Sequence, residues 1–211
     1  MKPFANMLPK KLLDQGTTVE FRKGQYIFFR DGPGDSLMVV LSGTVKIWNP
    51  THDGHEVVLG FMRPPHIMGE ISCLDGGPRT ANATAMTAVE LLVLRVSDVL
   101  PVVMSDAQAL LALTRATCRK ARETSQMVED ARKGFKVRIA SGLLRLSELL
   151  ESPRIDIGAS QADLAHYVGV SRSNFNRAIS EFERNGILRK DAGSIVIVDR
   201  KRLVDETSYD W

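Results

Sequence analysis

From Ser105 to Lys133 the chain carries neither proline nor glycine, and alanine, leucine, arginine and glutamate dominate the run. These are good helix formers, so the run predicts one long helix, with Ser105 or Asp106 as its cap and Gly134 as its end or hinge. The change of composition at Gly134 is the best domain boundary in the chain. Within the run, Leu110, Thr114, Thr117, Ala121, Thr124, Val128, Ala131 and then Phe135 follow alternating spacings of four and three, the pattern of a coiled-coil seam. A single amphipathic helix packed on its own β domain would give the same spacing. The seam has three threonines and two alanines, so a dimer built on it is adjustable rather than rigid.

Ahead of the helix, from Thr17 to about Val96, short apolar runs alternate with glycine-containing turns: VEFRKGQYIFF, DGPGDS, LMVVLSG, TVKIW and THDGHEVVLGFM. This is the punctuation of an all-β unit. The Asp53-Gly54 pair is a hairpin signal, because both positions of such a turn favour residues that accept positive φ. With 211 residues and 44 % hydrophobic composition there is ample material for one large or two modest cores.

Behind the helix, FKVRIASGLLRLSELL predicts a second amphipathic helix from Phe135 to Leu150. Then follows SQADLAHYVGVSRSNFNRAISEFERNGILRKDAGSIVIVD. Ser160 with Asp163 three residues on fits an N-cap with a supporting acid. Gly169 falls where a short helix turns sharply, and Gly186 stops the next one. The result is a helix-turn-helix followed by two short strands about an Asp-Ala-Gly turn.

A helix lying by its amino-terminal half in a groove presents i, i+1, i+4 and i+5, here Arg172, Ser173, Asn176 and Arg177. Arginine can donate two parallel bonds to guanine, while serine and asparagine both donate and accept. Gln161, Ser171, Arg189 and Lys190 are placed to bind phosphates around that helix. An arginine on a helix is usually a solvated residue; a turn, a helix and a wing together point instead to double-stranded DNA.

At this point the chain resembles the cyclic AMP receptor protein/FNR family of bacterial transcription regulators over nearly its whole length. Three ordered pieces carry the resemblance: KGQYIFFRDGPGDSLMVVLSGTVKIW, GEISCLDGGPRTANATA and SQADLAHYVGVSRSNFNRAISEFERNGIL. It implies an α+β chain with a jelly-roll-like β-roll for cyclic nucleotides over 1–104, a dimerisation helix over 105–134 and a winged helix-turn-helix over 135–211. Recognition helices of the family commonly carry Ser-Arg-Glu-Thr-x-x-Arg. Here Arg172 and Arg177 match, but Ser173 stands at the glutamate position, so an acceptor for a cytosine amine is lost and the operator is expected to depart from the usual half-site.

The resemblance also assigns GEISCLDGGPRTANATA to a phosphate-binding cassette. Glycines let backbone N–H groups approach an anion, and arginine supplies a planar fork for phosphate oxygens. Carried over residue by residue, Glu70 would accept from a ribose hydroxyl, Arg79 would pair with the cyclic phosphate, Thr80 would bond it, and Gly69, Ile71 and Ser72 would shape the turn. Met68 stands where the family usually has phenylalanine. Thr124 and Ser125 would touch the purine, with Lys120 near the phosphate. The competing use of Glu70 and Arg79 is a buried ion pair that braces the β-roll. Cyclic AMP is the first expectation for the effector, with no metal.

The net charge of +3 permits a polyanion partner without demanding one. No stretch approaches the roughly 20 apolar residues of a membrane helix, and MKPFANMLPK lacks the apolar core of a secretory signal, so a cytoplasmic chain is expected. Cys73 and Cys118 are too few for a disulfide framework, a zinc site or a four-cysteine cluster, and each reads as a small buried apolar side chain. Another sensor on the same scaffold, reading haem-bound gas, redox state or a different metabolite, stays open, as does a chain that binds DNA without a small-molecule effector. His52 and His55 flank the hairpin turn and read as exposed, and none of the four histidines is placed as an expected axial ligand. No nucleophile–base pair or phosphate loop is present, which argues against an enzyme. A homodimer on a roughly palindromic site is expected. RNA polymerase is a further partner in the family's founding activator, though the matching connection here, ESPRIDIGAS, is short.

Overall fold

The computed structural model describes residues 8–191 and 193–208. The chain divides into two compact units, one drawn from Met1–Asn49 and Leu59–Glu123, the other from Pro50–Val58 and Thr124–Trp211.

The described residues open with a short helix α1 (Lys10–Leu13) and strands β1 (Thr17–Phe21), β2 (Tyr26–Phe28), β3 (Ser36–Ser42), β4 (Val45–Pro50), β5 (Glu56–Met62) and β6 (Ile67–Met68). Helix α2 (Glu70–Asp75), strands β7 (Asn82–Ala85) and β8 (Val89–Arg95), and helices α3 (Val96–Ser105) and α4 (Ala107–Asp130) follow. The strands form two four-stranded sheets, ordered β1-β8-β3-β6 and β2-β7-β4-β5. Strand β3 shows why its sequence, LMVV, is apolar without a break: Met38 and Val40 join a core with Val45, Ala83 and Leu91, while Leu37 and Val39 join a second core with Val99, Val103, Ala109 and Leu113. Both faces of this strand are covered, so alternation disappears where period-two side chains meet apolar neighbours on either side. The β4–β5 hairpin turns at Asp53-Gly54, with Thr51 N–H donating to the His55 carbonyl at 2.7 Å, but of the two residues only Gly54 takes a positive φ, 79, so the turn with two positive-φ positions expected of Asp-Gly is not formed. His52 and His55 are exposed on it.

The single helix expected from Ser105 to Lys133 is shorter and has a helical predecessor. Residues 96–105 form α3 despite Pro101, and Asp106 breaks the run with extended dihedrals, so α3 and α4 are bent by 114°. Asp106 then caps α4, its carboxylate accepting from the amides of Gln108 at 2.9 Å and Ala109 at 3.3 Å. At the other end α4 stops at Asp130; Ala131 lies in the following turn and Phe135 opens the next helix, so the seam runs on α4 only from Leu110 to Val128. Ala109, Leu113 and Ala116 are buried, whereas Leu110, Thr114, Ala121, Thr124 and Val128 are exposed. Helix α4 therefore carries two stripes, one buried and one exposed. Thr114 and Thr117 hydroxyls donate to the carbonyls of Leu110 and Leu113, which satisfies them without a partner helix. Cys73 is buried, but Cys118 is exposed on α4, against the expectation that both are core residues. Among the described residues no single helix is long and apolar enough to cross a membrane.

The second unit contains α5 (Phe135–Leu149), β9 (Arg154–Ile155), α6 (Gln161–Val168), α7 (Arg172–Arg184), β10 (Leu188–Asp191), β11 (Ser194–Ile197) and α8 (Arg200–Asp205). Ser160 and Asp163 form the capping box read from their spacing: Asp163 N–H donates to Ser160 Oγ at 3.1 Å and Ser160 N–H to Asp163 Oδ2 at 2.9 Å. Gly169 adopts φ 67, a conformation that favours glycine in the turn between α6 and α7. Phe175, Ile179 and Phe182 on α7 and Ile139, Leu143 and Leu146 on α5 are all buried, and the two helices pack against each other. The wing has a third strand that the sequence reading lacked, β9, which pairs Ile155 with Ile195 and lies within ESPRIDIGAS.

Candidate effector pocket and nucleic-acid interface

In the first unit, Gly69 caps α2 with φ 82, and a β-carbon there would lie 2.2 Å from Arg79 Nη1 and 2.7 Å from the Ser36 carbonyl. Any side chain at this position would close the passage through which the Arg79 guanidinium lies. Arg79 is only 2 % exposed. Its Nη2 donates to Ser36 Oγ at 2.7 Å, the Asp35 carboxylate lies 3.9 Å away, and the Phe28 ring centroid is 4.7 Å from the guanidinium carbon. Burial pulls the Arg79 pKa down from its ordinary value, partly offset by the charges of Asp35, Cys73 and Glu70. Arginine nevertheless stays charged, so a buried cation sits here with Nε and Nη1 unpartnered.

Glu70, 1 % exposed, is the first residue of α2. Its Oε2 accepts from Lys120 Nζ at 2.8 Å, and Lys120 donates also to the Ile67 carbonyl at 3.2 Å. Oε1 is buried without a partner. Glu70 is thus paired with α4, and Arg79 with the start of β3, in place of the direct Glu70–Arg79 brace. Ser72 is buried and its hydroxyl donates to the Pro78 carbonyl at 2.9 Å, tying α2 to the turn that leads to Arg79. Ile71 is half-buried; Thr80 is exposed, and its carbonyl accepts from Asn49 Nδ2 at 3.2 Å. Thr124 and Ser125 stand exposed on α4, one turn past Lys120. The cassette therefore offers an unused carboxylate oxygen that accepts and two unused guanidinium nitrogens that donate, a set that fits an anion bearing a nearby hydroxyl.

In the second unit, Ser171 caps α7, its hydroxyl accepting from Asn174 N–H at 3.1 Å. Arg172, Ser173 and Arg177 are exposed on α7 and Asn176 is half-buried. Gln161, Arg172 and Lys190 line one concave surface together with Ser160 and Ser194, which gathers onto one face residues taken from the sequence as phosphate and base contacts. Lys190 Nζ donates to Ser180 Oγ at 3.1 Å and lies 3.1 Å from Glu183 Oε2. Bonds from the Lys190 backbone and side chain hold the Glu183 carboxyl below its ordinary pKa.

Residues 18–106 match the model of the cyclic nucleotide-binding domain, and residues 137–206 match that of the Crp-like helix-turn-helix domain. The chain is 31 % identical over 198 residues to a CRP-like cAMP-activated global transcriptional regulator of Mycobacterium tuberculosis, covering 91 % of this chain and 88 % of that one. It belongs to the cyclic AMP receptor protein/FNR family. The cyclic AMP receptor protein of Thermus thermophilus is 30 % identical, over 90 % of this chain and 87 % of the other. FixK2 of Bradyrhizobium japonicum shares the fold, with a TM-score of 0.84 at 24 % identity, over 93 % of this chain and 99 % of that one. As a member of this family, the protein is an effector-responsive DNA-binding transcription regulator with a β-sheet nucleotide-binding domain followed by helices and a helix-turn-helix.

Sequence reasoning missed the residues that hold the family's cassette in place. Ser36, Asp35 and Phe28 surround Arg79, and nothing local marks them, since Ser36 lies 43 positions away. A faint signal exists for Gly69, whose place before Glu70 is explained by both its dihedral and the passage of Arg79. In the DNA unit, Arg138 wraps the end of α6, donating to the Val168 carbonyl at 3.1 Å and to the Gly169 carbonyl. This fixes the turn on which α7 depends.

Proposed function

We propose that this regulator is a cytoplasmic homodimer, without catalysis of its own, whose affinity for DNA is set by a cyclic nucleotide held at Gly69, Glu70, Ile71, Ser72, Arg79 and Thr80, with cyclic AMP as the first choice. The observation that carries the reading is the buried pair of unsatisfied groups, Glu70 Oε1 and the Arg79 Nε and Nη1 nitrogens. Leaving such groups unpaired costs about 1–3 kcal/mol each, a cost that phosphate oxygens and a ribose hydroxyl would remove. A bound nucleotide supplies a negative charge and hydroxyl groups. Arg79 donates to the charge, Glu70 accepts from a hydroxyl, and Lys120 keeps the second Glu70 oxygen occupied. Thr124 and Ser125 are the proposed purine contacts, by family resemblance.

The exposed stripe Leu110, Thr114, Ala121, Thr124 and Val128 is the proposed dimer seam. Two-fold symmetry then sets two α7 helices in successive major grooves, about 10 base pairs apart, on a roughly palindromic site. Arg172, Ser173, Asn176 and Arg177 read bases, while Gln161, Ser171 and Lys190 hold phosphates, so binding weakens steeply with salt. The effector shifts this balance only by its differential affinity for the two arrangements. RNA polymerase is a further proposed partner, by family resemblance. The test is calorimetric titration with cyclic AMP, cyclic GMP and cyclic di-GMP, repeated on Arg79→Ala. Heat from one nucleotide that disappears in the variant is expected; no heat from any of the three overturns the effector assignment.

A further inference from the structure

Arg177 does not project freely from α7. Its guanidinium carbon lies 4.7 Å from the centroid of the Phe135 ring, and Nη2 donates to Asn174 Oδ1 at 3.3 Å. Phe135 is the first residue of α5, and the next residue, Lys136, is bonded to Glu181 of α7 at 2.5 Å. Arg177 and Glu181 are one turn apart on α7, so two consecutive residues of α5 grip two consecutive turns of one α7 face. The ion pair sets the register in which the ring meets the guanidinium.

We propose that Phe135 is a positioning residue for base readout, its ring fixing the plane of the Arg177 guanidinium while Asn174 fixes its rotation within that plane. The inference rests on the reading of α7 as the recognition helix and names a specificity-determining residue outside it. Stacking uses the face of the guanidinium and leaves the in-plane N–H groups not given to Asn174 free to donate, which is the geometry two parallel bonds to guanine require. An arginine on a long flexible stem would otherwise be ordered only on contact with DNA, at the expense of affinity for the correct base. The ring meets that ordering cost before DNA arrives, in a residue that follows directly on the α4–α5 joint at Gly134.

The test uses duplexes enriched by the wild-type protein from a random-sequence pool, together with scrambled controls, with binding followed by fluorescence anisotropy at one salt concentration. Phe135→Leu is expected to weaken binding to the enriched duplex about fivefold while leaving the scrambled duplex unchanged, since the lost contact acts on a base and not on phosphates. Discrimination should fall at the base pair where Arg177→Ala also loses it. Phe135→Tyr keeps a ring and should restore wild-type discrimination, and Phe135→Leu added to Arg177→Ala should change nothing further. Equal weakening on both duplexes, or a lowered unfolding midpoint that Phe135→Tyr shares, would reduce the ring to a structural filler and overturn the proposal. So would undiminished discrimination in Phe135→Leu beside a clear loss in Arg177→Ala. If Arg177→Ala itself discriminates as the wild type does, base reading by Arg177 fails, and the positioning role falls with it.

Discussion

The two units each bury a charged cluster, and the clusters differ in how completely they are satisfied. In the second unit Asp130, 4 % exposed, has both oxygens engaged: Oδ1 accepts from Gln126 Nε2 at 3.3 Å and Lys133 Nζ at 3.0 Å, and Oδ2 from Arg145 Nη1. Burial pushes the Asp130 pKa up, but the bonds from Arg145 and Lys133 outweigh it and hold the carboxyl below its ordinary value. Arg145 Nε lacks a partner, yet its guanidinium stands 5.9 Å from the Tyr167 ring centroid and the carboxylate it serves is saturated. In the first unit Glu70 has one oxygen free and Arg79 two nitrogens. A saturated buried carboxylate at the end of α4 behaves as a brace. The half-satisfied cluster behind Gly69, which lets the Arg79 guanidinium through, is the proposed nucleotide socket.

Replacing the socket's cation should separate binding from stability. Arg79→Met is expected to weaken nucleotide binding about a thousandfold, the loss of two charge-assisted bonds. The same change should alter the stability of the first unit by less than about 1 kcal/mol, because exchanging an incompletely bonded buried charge for an apolar side chain is often neutral. Calorimetry and urea unfolding on one preparation decide it. A loss of stability of about 3–5 kcal/mol would make Arg79 a brace like Asp130 and erase the contrast.

Asp130→Ala is the complementary experiment, with its expected effect on stability. Removing the carboxylate strands Arg145 and Lys133 beside one another, which should cost the second unit about 3 kcal/mol. Asp130→Asn should cost less, since the amide oxygen still accepts. Urea unfolding of the two variants measures both. If alanine and asparagine are equally mild, the three donors around Asp130 find other partners and the cluster is not what holds the α4–α5 joint.

What the sequence made legible follows the range of the interaction. The Ser160–Asp163 box, the Asp53-Gly54 hairpin and the turn at Gly169 are set by neighbours within a few residues, and each appears where its residues place it. The helix α3 was illegible because Pro101 and Ser105 look like the end of a structured run, and only the packing of Val99 and Val103 against Leu37 and Leu94 shows otherwise. On α4 the four-and-three spacing of the seam was visible, but not that a second stripe, Ala109, Leu113 and Ala116, would carry the packing. Lys120 pairing with Glu70 spans 50 positions, and Arg79 with Ser36 spans 43, so no local pattern could join them. The family resemblance supplied the residue types of the cassette; the structure supplied their partners.

The smallest expected effect tests whether the two units also differ in how they meet acid. In the first unit His66 is half-buried, with Nδ1 2.8 Å from the Arg63 carbonyl, an arrangement in which Nδ1 carries the proton. Burial lowers its pKa, the bond to Arg63 and the charge of Glu123 raise it, and Lys120 and Arg119 lower it, leaving it below the ordinary value. Between the folded value and about 6.5 the unfolded chain then binds more protons than the folded one. The neutral ring's contribution is therefore complete above about pH 6.5 and is lost as the pH falls toward the depressed folded value. For a half-buried ring the loss should stay under about 1 kcal/mol. Urea unfolding of wild type and His66→Gln at pH 7.5, 6.5 and 5.5 should show that slope in the wild type alone. The Asp130 cluster, whose carboxyl sits below its ordinary value, holds until the carboxylate range, so acid should loosen the first unit before the second. An equal slope in His66→Gln would assign the sensitivity to other groups and remove this difference between the units.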